Sequence, residues 1–156
     1  MAASNPAPQP TPVHLDKVQR YVDADHQVCF ITTRRDGTSQ ATLVRGGLLD
    51  HPISGRPAVV SLIRGNTAKL RNLRRTPRAA VFFRGGSDWA TAEGPTTIIG
   101  PDDPHDAFDR ARFEQLRRAA ATAVARSDKS QEEFERIMEA ERRAVVLVEI
   151  DRVISR

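Results

Sequence analysis

The chain predicts an α+β protein that is mainly β: a small β-barrel with helices packed outside it. Three observations carry that reading. Short runs rich in β-branched and aromatic residues recur between turn residues. One short, strongly basic helix, within residues 64–78, stands between two of these runs. Two further helical stretches precede a last run, residues 144–150, that is almost continuously apolar.

The elements follow in order. Residues 1–12 are rich in Ala, Pro and small polar residues, which predicts a disordered tail ahead of a single domain over 13–156. They lack the charged start and apolar stretch of a signal peptide. Leu15, Val18 and Val22 then recur at helical spacing. Residues 28–33 read as a strand. Asp36-Gly37 is a hairpin turn, and residues 40–49 supply the returning strand. Residues 51–57 form a loop by their Pro and Gly content. The apolar run 58–63 is a buried strand that leads into the basic helix.

That helix opens at Gly65 with two possible caps, Asn66 and Thr67. Leu70 and Leu73 share one face, and Pro77 ends it. Residues 79–83 are the next strand and 85–88 the next turn. The strand at 89–99 is interrupted by Gly94-Pro95, which predicts a bulge or bend. The break at 101–104 is expected to start a helix whose apolar face holds Phe108, Ala111, Leu116, Ala119, Ala120, Ala123 and Val124. Ser130 and Glu133 resemble a capping box for a second helix, with Phe134, Ile137 and Met138 inward. The apolar character of 144–150 predicts burial on both strand faces.

Composition narrows the function. The chain has 156 residues, 39% hydrophobic and 28% charged, with net charge +4 and a pI near 10.0. The basic balance favours an acidic partner. Aromatic content of 5% argues against single-strand nucleic-acid binding, which interleaves stacking aromatics with basic residues. The single cysteine, Cys29, excludes an intrachain disulfide, and four scattered histidines offer no metal-ligand spacing. No apolar run approaches the roughly 20 residues of a membrane span, so a cytoplasmic protein is expected. No spacing supports nucleophilic or acid–base catalysis.

The start of the basic helix admits two readings. Helix N-termini present N–H donors and positive partial charge, and so bind phosphate; Lys69 in the first turn would add a full charge. Alternatively the helix is a solvated basic face with two leucines beneath it.

Residues 67–78, Thr-Ala-Lys-Leu-Arg-Asn-Leu-Arg-Arg-Thr-Pro-Arg, resemble the phosphate-binding segment of pyridoxamine 5'-phosphate oxidase-like split-barrel proteins. They are most similar to the actinobacterial branch that uses the deazaflavin coenzyme F-420. Residues 33–42 resemble that family's first hairpin, 89–94 its strand ending in Ala-Glu-Gly, and 141–147 the approach to its last strand. The matches run from about Leu15 to Ile154.

The resemblance implies a six-stranded-type split β-barrel with peripheral helices, the FMN-binding split-barrel fold. It implies a homodimer with cofactor at the interface and a small conjugated substrate, reduced by hydride from F-420. An FMN-binding relative of pyridoxamine 5'-phosphate oxidase is the alternative, and a non-catalytic cofactor or haem-type ligand carrier is another. Among site residues it implies Thr67, Ala68, Lys69 and Asn72 around the phosphate. Ser61, Leu62 and Ile63 would face the ring through their backbone. Gln40 and Thr42 would line its other edge, and Trp89 would approach from the second protomer. From pattern alone, Gln40 and Thr42 read equally as strand surface, and Trp89 as core packing. Thr67 stands where similar proteins often carry a basic residue, a departure for which Arg64 or Arg71 would compensate.

Overall fold

A computed structural model describes residues 12–126 and 128–156. The tail expected at 1–12 lies outside the described residues except for Pro12, which opens helix α1 (Pro12–Ala24). Val18 and Val22 of α1 are fully buried, as their spacing predicts.

Strands β1 (Gln27–Thr33) and β2 (Ser39–Arg45) form an antiparallel hairpin in register Cys29↔Leu43 and Thr32↔Gln40. Gly37 turns it at φ 85°, a left-handed conformation that glycine adopts freely. The single returning strand expected at 40–49 is broken. Gly46 parts β2 from β3 (Gly47–Asp50), and an added Cβ on Gly47 would lie 2.1 Å from the Ala123 carbonyl oxygen. β3 pairs with β4 (Pro57–Ile63), which leads into α2 (Ala68–Arg75), β5 (Arg78–Gly85) and β6 (Asp88–Ile99). α3 (Arg110–Ala123) and α4 (Gln131–Ala140) follow, then β7 (Ala144–Glu149) and β8 (Arg152–Ser155). The eight strands exceed the six expected because of the break at Gly46 and the short β8.

The strands run β2-β1-β5-β6-β7-β4-β3, with β8 also on β6. The sheet is a split barrel that does not close. β6 joins its halves: residues 88–95 pair with β5 and residues 96–99 with β7. The expected irregularity at Gly94-Pro95 is that changeover. A Cβ on Gly94 would lie 1.6 Å from the Glu149 carbonyl oxygen, so only glycine permits the approach.

β7 is buried throughout except at Glu149 because it serves two cores. Val146 and Val148 join Val59, Ile63, Phe30, Val81 and Phe83 between the half-sheets. Val145 and Leu147 join Val60, Leu62, Leu116, Phe134 and Met138 beneath α3 and α4. Alternation along β4 and β7 thus sends successive side chains to opposite cores. Each fully buried aliphatic or aromatic side chain contributes roughly 1.5–3 kcal/mol.

Two helical expectations need correction. α3 begins at Arg110, not at 101–104, because Asp102 and Asp103 are engaged by Arg142 and Arg74 and Asp109 supplies the cap, accepting from the Arg112 N–H at 2.8 Å. Ala111 and Ala119 are exposed. The inward stripe is instead Leu116, Arg117, Ala120 and Ala121, where Arg117 pairs with Glu135 of α4. The Ser130 cap forms as expected, its hydroxyl accepting from the Glu133 N–H at 3.2 Å. Among the described residues, no helix is long and apolar enough to cross a membrane.

Candidate functional site

β3 accompanies β4 only as far as Gly47↔Val60. Residues 61–63 continue past it on the side where β4 approaches β2. In the gap lies a cavity of about 360 Å³, walled by Val44 and Arg45 of β2, Leu62 and Ile63 of β4, and Thr67 and Lys69 at the start of α2. Arg64, Arg126 and Arg143 complete its charged lining, and among the described residues no carboxylate belongs to that wall.

Thr67 is the N-cap of α2, in extended conformation, yet its side chain makes no cap hydrogen bond. Its Oγ1 is buried without a partner. Asn66, the other expected cap, adopts φ 59° and instead receives Arg71 on its side-chain and backbone oxygens. Lys69 has no ion pair among the described residues, and burial lowers its pKa. The helix start therefore places N–H donors, an unpartnered hydroxyl and an ammonium along one cavity wall, a set of groups that fits a phosphate.

Three of the other cations, Arg45, Arg143 and Arg64, are anchored from behind. Arg45 donates to the Val124 and Ala125 carbonyls, each at 3.0 Å, at the end of α3. Arg143 donates to the Leu62 carbonyl at 2.9 Å and to Glu141. Glu141 also accepts from Arg64 at 2.9 Å. Although burial opposes its ionisation, Arg143 and Arg64 together hold the Glu141 carboxyl below its usual pKa.

The structure brings together Leu62, Ile63, Thr67 and Lys69 in the cavity wall. Ala68 begins α2 beside them. Asn72 is buried and donates to Gln40 at 2.9 Å and Thr32 at 3.1 Å, which fixes α2 to the first hairpin. Ser61 is fully buried with its hydroxyl unpaired, and Thr42 Oγ1 is likewise unpaired; neither lines the cavity. Trp89 lies on the outward face of β6, stacked on Phe82 at 6.0 Å between ring centroids. Of the two arginines expected to compensate for Thr67, Arg64 lines the cavity and Arg71 does not. Arg45, Arg126 and Arg143 were missed in sequence, since they meet from β2, the end of α3 and the start of β7.

Through its stack on Phe82, Trp89 adjoins an outward, mainly apolar row. Leu43, Cys29, Phe82, Thr91 and Ile154 are successive register partners across β2, β1, β5, β6 and β8. Leu43 is 66% exposed and Ile154 46%. Leu43 also lines the cavity, so the cavity borders this face.

Neither the family models nor the curated proteins compared with this sequence match it. Solved structures do. A conserved hypothetical protein from Mycobacterium tuberculosis is 15% identical at TM-score 0.65, over 99% of this chain and 89% of that one. A pyridoxamine 5'-phosphate oxidase-related, FMN-binding protein from Nostoc punctiforme is 14% identical at TM-score 0.66, over 97% and 85%. A haem-binding protein from Mycobacterium smegmatis is 19% identical at TM-score 0.61, over 96% of this chain but 55% of that one. At these identities the likeness establishes the fold.

Proposed function

We propose, from a split-barrel fold shared with an FMN-binding and a haem-binding protein, that this chain is a cofactor-dependent oxidoreductase and that its cofactor is F-420. The observation that carries the proposal is the cavity wall: five basic side chains, Arg45, Arg64, Lys69, Arg126 and Arg143, and among the described residues no carboxylate. A single phosphate at α2 would engage Lys69, Thr67 and the first N–H groups of the helix. The arginines beyond it suit an anion with further carboxylates, which a deazaflavin tail has and compact FMN lacks. When bound, the cofactor would supply the hydride chemistry for a small conjugated substrate. The chain would hold the phosphate, orient the ring against Val44, Leu62 and Ile63, and exclude water there.

The site reading includes a second copy. The apolar row that ends at Leu43 borders the cavity, so a partner on that face would reach the cofactor and bring its Trp89 toward it. A haem-type carrier would need its iron ligand from outside this cavity's wall, which among the described residues holds no His, Cys, Met or Tyr.

Parallel calorimetric titration of the full chain with F-420 and FMN tests the proposal. Tighter binding of F-420, followed by acceptor reduction with the reduced coenzyme, is the expected result. Tighter FMN binding would replace F-420 with the FMN alternative, and absence of binding by both would overturn the cofactor reading.

A further inference from the structure

Beside the first cavity lies a second, of about 570 Å³, that shares Arg45, Arg64, Arg126 and Arg143 with it. Its volume falls within the range of roughly 300–1,000 Å³ typical of small-molecule sites. Its remaining wall is mixed: Lys129, Asp128 and Glu141 are charged, the last already paired with Arg64 and Arg143, while Ala125 and, on α4, Ile137 and the edges of the largely buried Phe134 and Met138 are apolar.

Three of the shared arginines are held by protein groups: Arg45 by carbonyls, Arg143 by the Leu62 carbonyl and Glu141, and Arg64 by Glu141. Arg126 has neither an ion pair nor a side-chain hydrogen bond among the described residues. It is half-buried, and burial followed by the charges of Arg143 and Arg45 lowers its pKa, with Glu141 and Asp128 opposing. A guanidinium so placed remains charged, so its environment costs stability until an anion joins it. A bare inorganic anion would leave the α4 surface unused, and a neutral apolar ligand would leave Arg126 unpaired.

We infer that the second cavity is the substrate subsite, and that it takes an amphipathic organic acid. Its carboxylate would meet Arg126 between Arg45 and Arg143, and its apolar body would rest on Phe134, Ile137 and Met138. Calling the ligand a substrate rests on the cofactor reading above; the organic-acid site does not.

The test uses cinnamate, a conjugated aryl carboxylate, and its neutral amide as probes, titrated into the full chain with and without saturating F-420 or FMN. Cinnamate should bind in both conditions and the amide at least about tenfold more weakly. Arg126→Ala should lose about ten- to hundredfold in cinnamate affinity, the worth of one charge-assisted hydrogen bond. Because Arg126 also lines the first cavity, the substitution should weaken cofactor binding too, but by much less than it weakens cinnamate binding, whereas Lys69→Ala should do the reverse. Arg126→Lys, which keeps the charge, should recover part of the loss, and no variant should melt below the wild type.

The inference is overturned if cinnamate fails to bind at millimolar concentration, or if the amide binds equally. It is also overturned if Arg126→Ala weakens cofactor and cinnamate alike, because the two cavities would then be one cofactor site. If cinnamate binding depends on Arg126 while neither cofactor binds, the organic-acid site stands and the cofactor reading falls.

Discussion

Asn72 Nδ2 donates to Gln40 Oε1 at 2.9 Å and so joins α2 to β2 side chain to side chain. The same group reaches Thr32 Oγ1, and Asn72 Oδ1 accepts from Arg75 at 3.0 Å. The amide is thus committed to holding the helix. Asn72→Ala would leave buried partners unsatisfied and should destabilise by about 1–3 kcal/mol. For a chain of this length that lowers Tm by roughly 2–4 °C per kcal/mol. Calorimetry on the variant checks this; a wild-type melt would show that the tether is not stabilising.

Lys69→Ala should weaken cofactor binding by about ten- to hundredfold through the lost phosphate contact. Stability should be retained, since the lysine has no ion partner among the described residues and alanine is the better helix former. Arg35→Ala, at an exposed position in the hairpin turn, is the control for the general basic field and should change affinity little. Equal losses in the two variants would assign binding to a diffuse charge.

Leu43→Glu should leave the monomer folded, because the side chain is 66% exposed. Placed in the apolar row, the charge should shift sedimentation toward monomer and weaken cofactor binding with it. A variant that stays dimeric would move the interface to another face.

His51 supplies a pH dependence. Its Nδ1 accepts from the Ile53 and Ser54 N–H groups at 3.2 and 3.3 Å, which leaves Nε2–H to donate to Thr97 Oγ1 at 3.2 Å. Burial lowers its pKa below the usual 6.5; Glu149 opposes and His105 adds to the shift. The unfolded chain then binds the proton more readily than the folded one. The stability contribution is present above pH 6.5 and is lost as pH falls from there through the folded-state pKa. Denaturant titrations at several pH values should show that decline, and His51→Asn should flatten it.

Gly94→Ala places a methyl where the Glu149 carbonyl lies. Overpacking against backbone costs about 1–3 kcal/mol, occasionally more. Urea unfolding should show at least that loss, while Gly86→Ala, with open space around its α-carbon but φ 64°, should cost only the conformational penalty of a turn.

Local chemistry made much of this fold legible. Asp36-Gly37 reads as a hairpin because turn geometry is a short-range property, and residues 144–150 read as doubly buried, which holds to Val148 but not at Glu149, because both flanking cores leave an apolar record in one strand. Ala111 and Ala119 misled because alanine is small enough to suit either face of a helix. β8 is only four residues long, with Val153 and Ile154 its sole apolar members. The site was legible where one segment supplies it: Leu62, Ile63, Thr67 and Lys69 are nearly consecutive. Arg45, Arg126 and Arg143 are brought together only by the packing of α3 against β3 and β4, and no periodicity announces that.

The changeover in β6 has a mechanical consequence. A segment that completes both half-sheets cannot detach from one without loosening its purchase on the other, so fraying that begins at β2 or β3 halts when it reaches this strand. Opening of the gap for ligand entry can therefore occur as a hinge between outer strands, with the seam opposite left intact. The amides of residues 90–92 and 145–148, on either side of that seam, are expected to exchange with solvent only when the whole molecule unfolds.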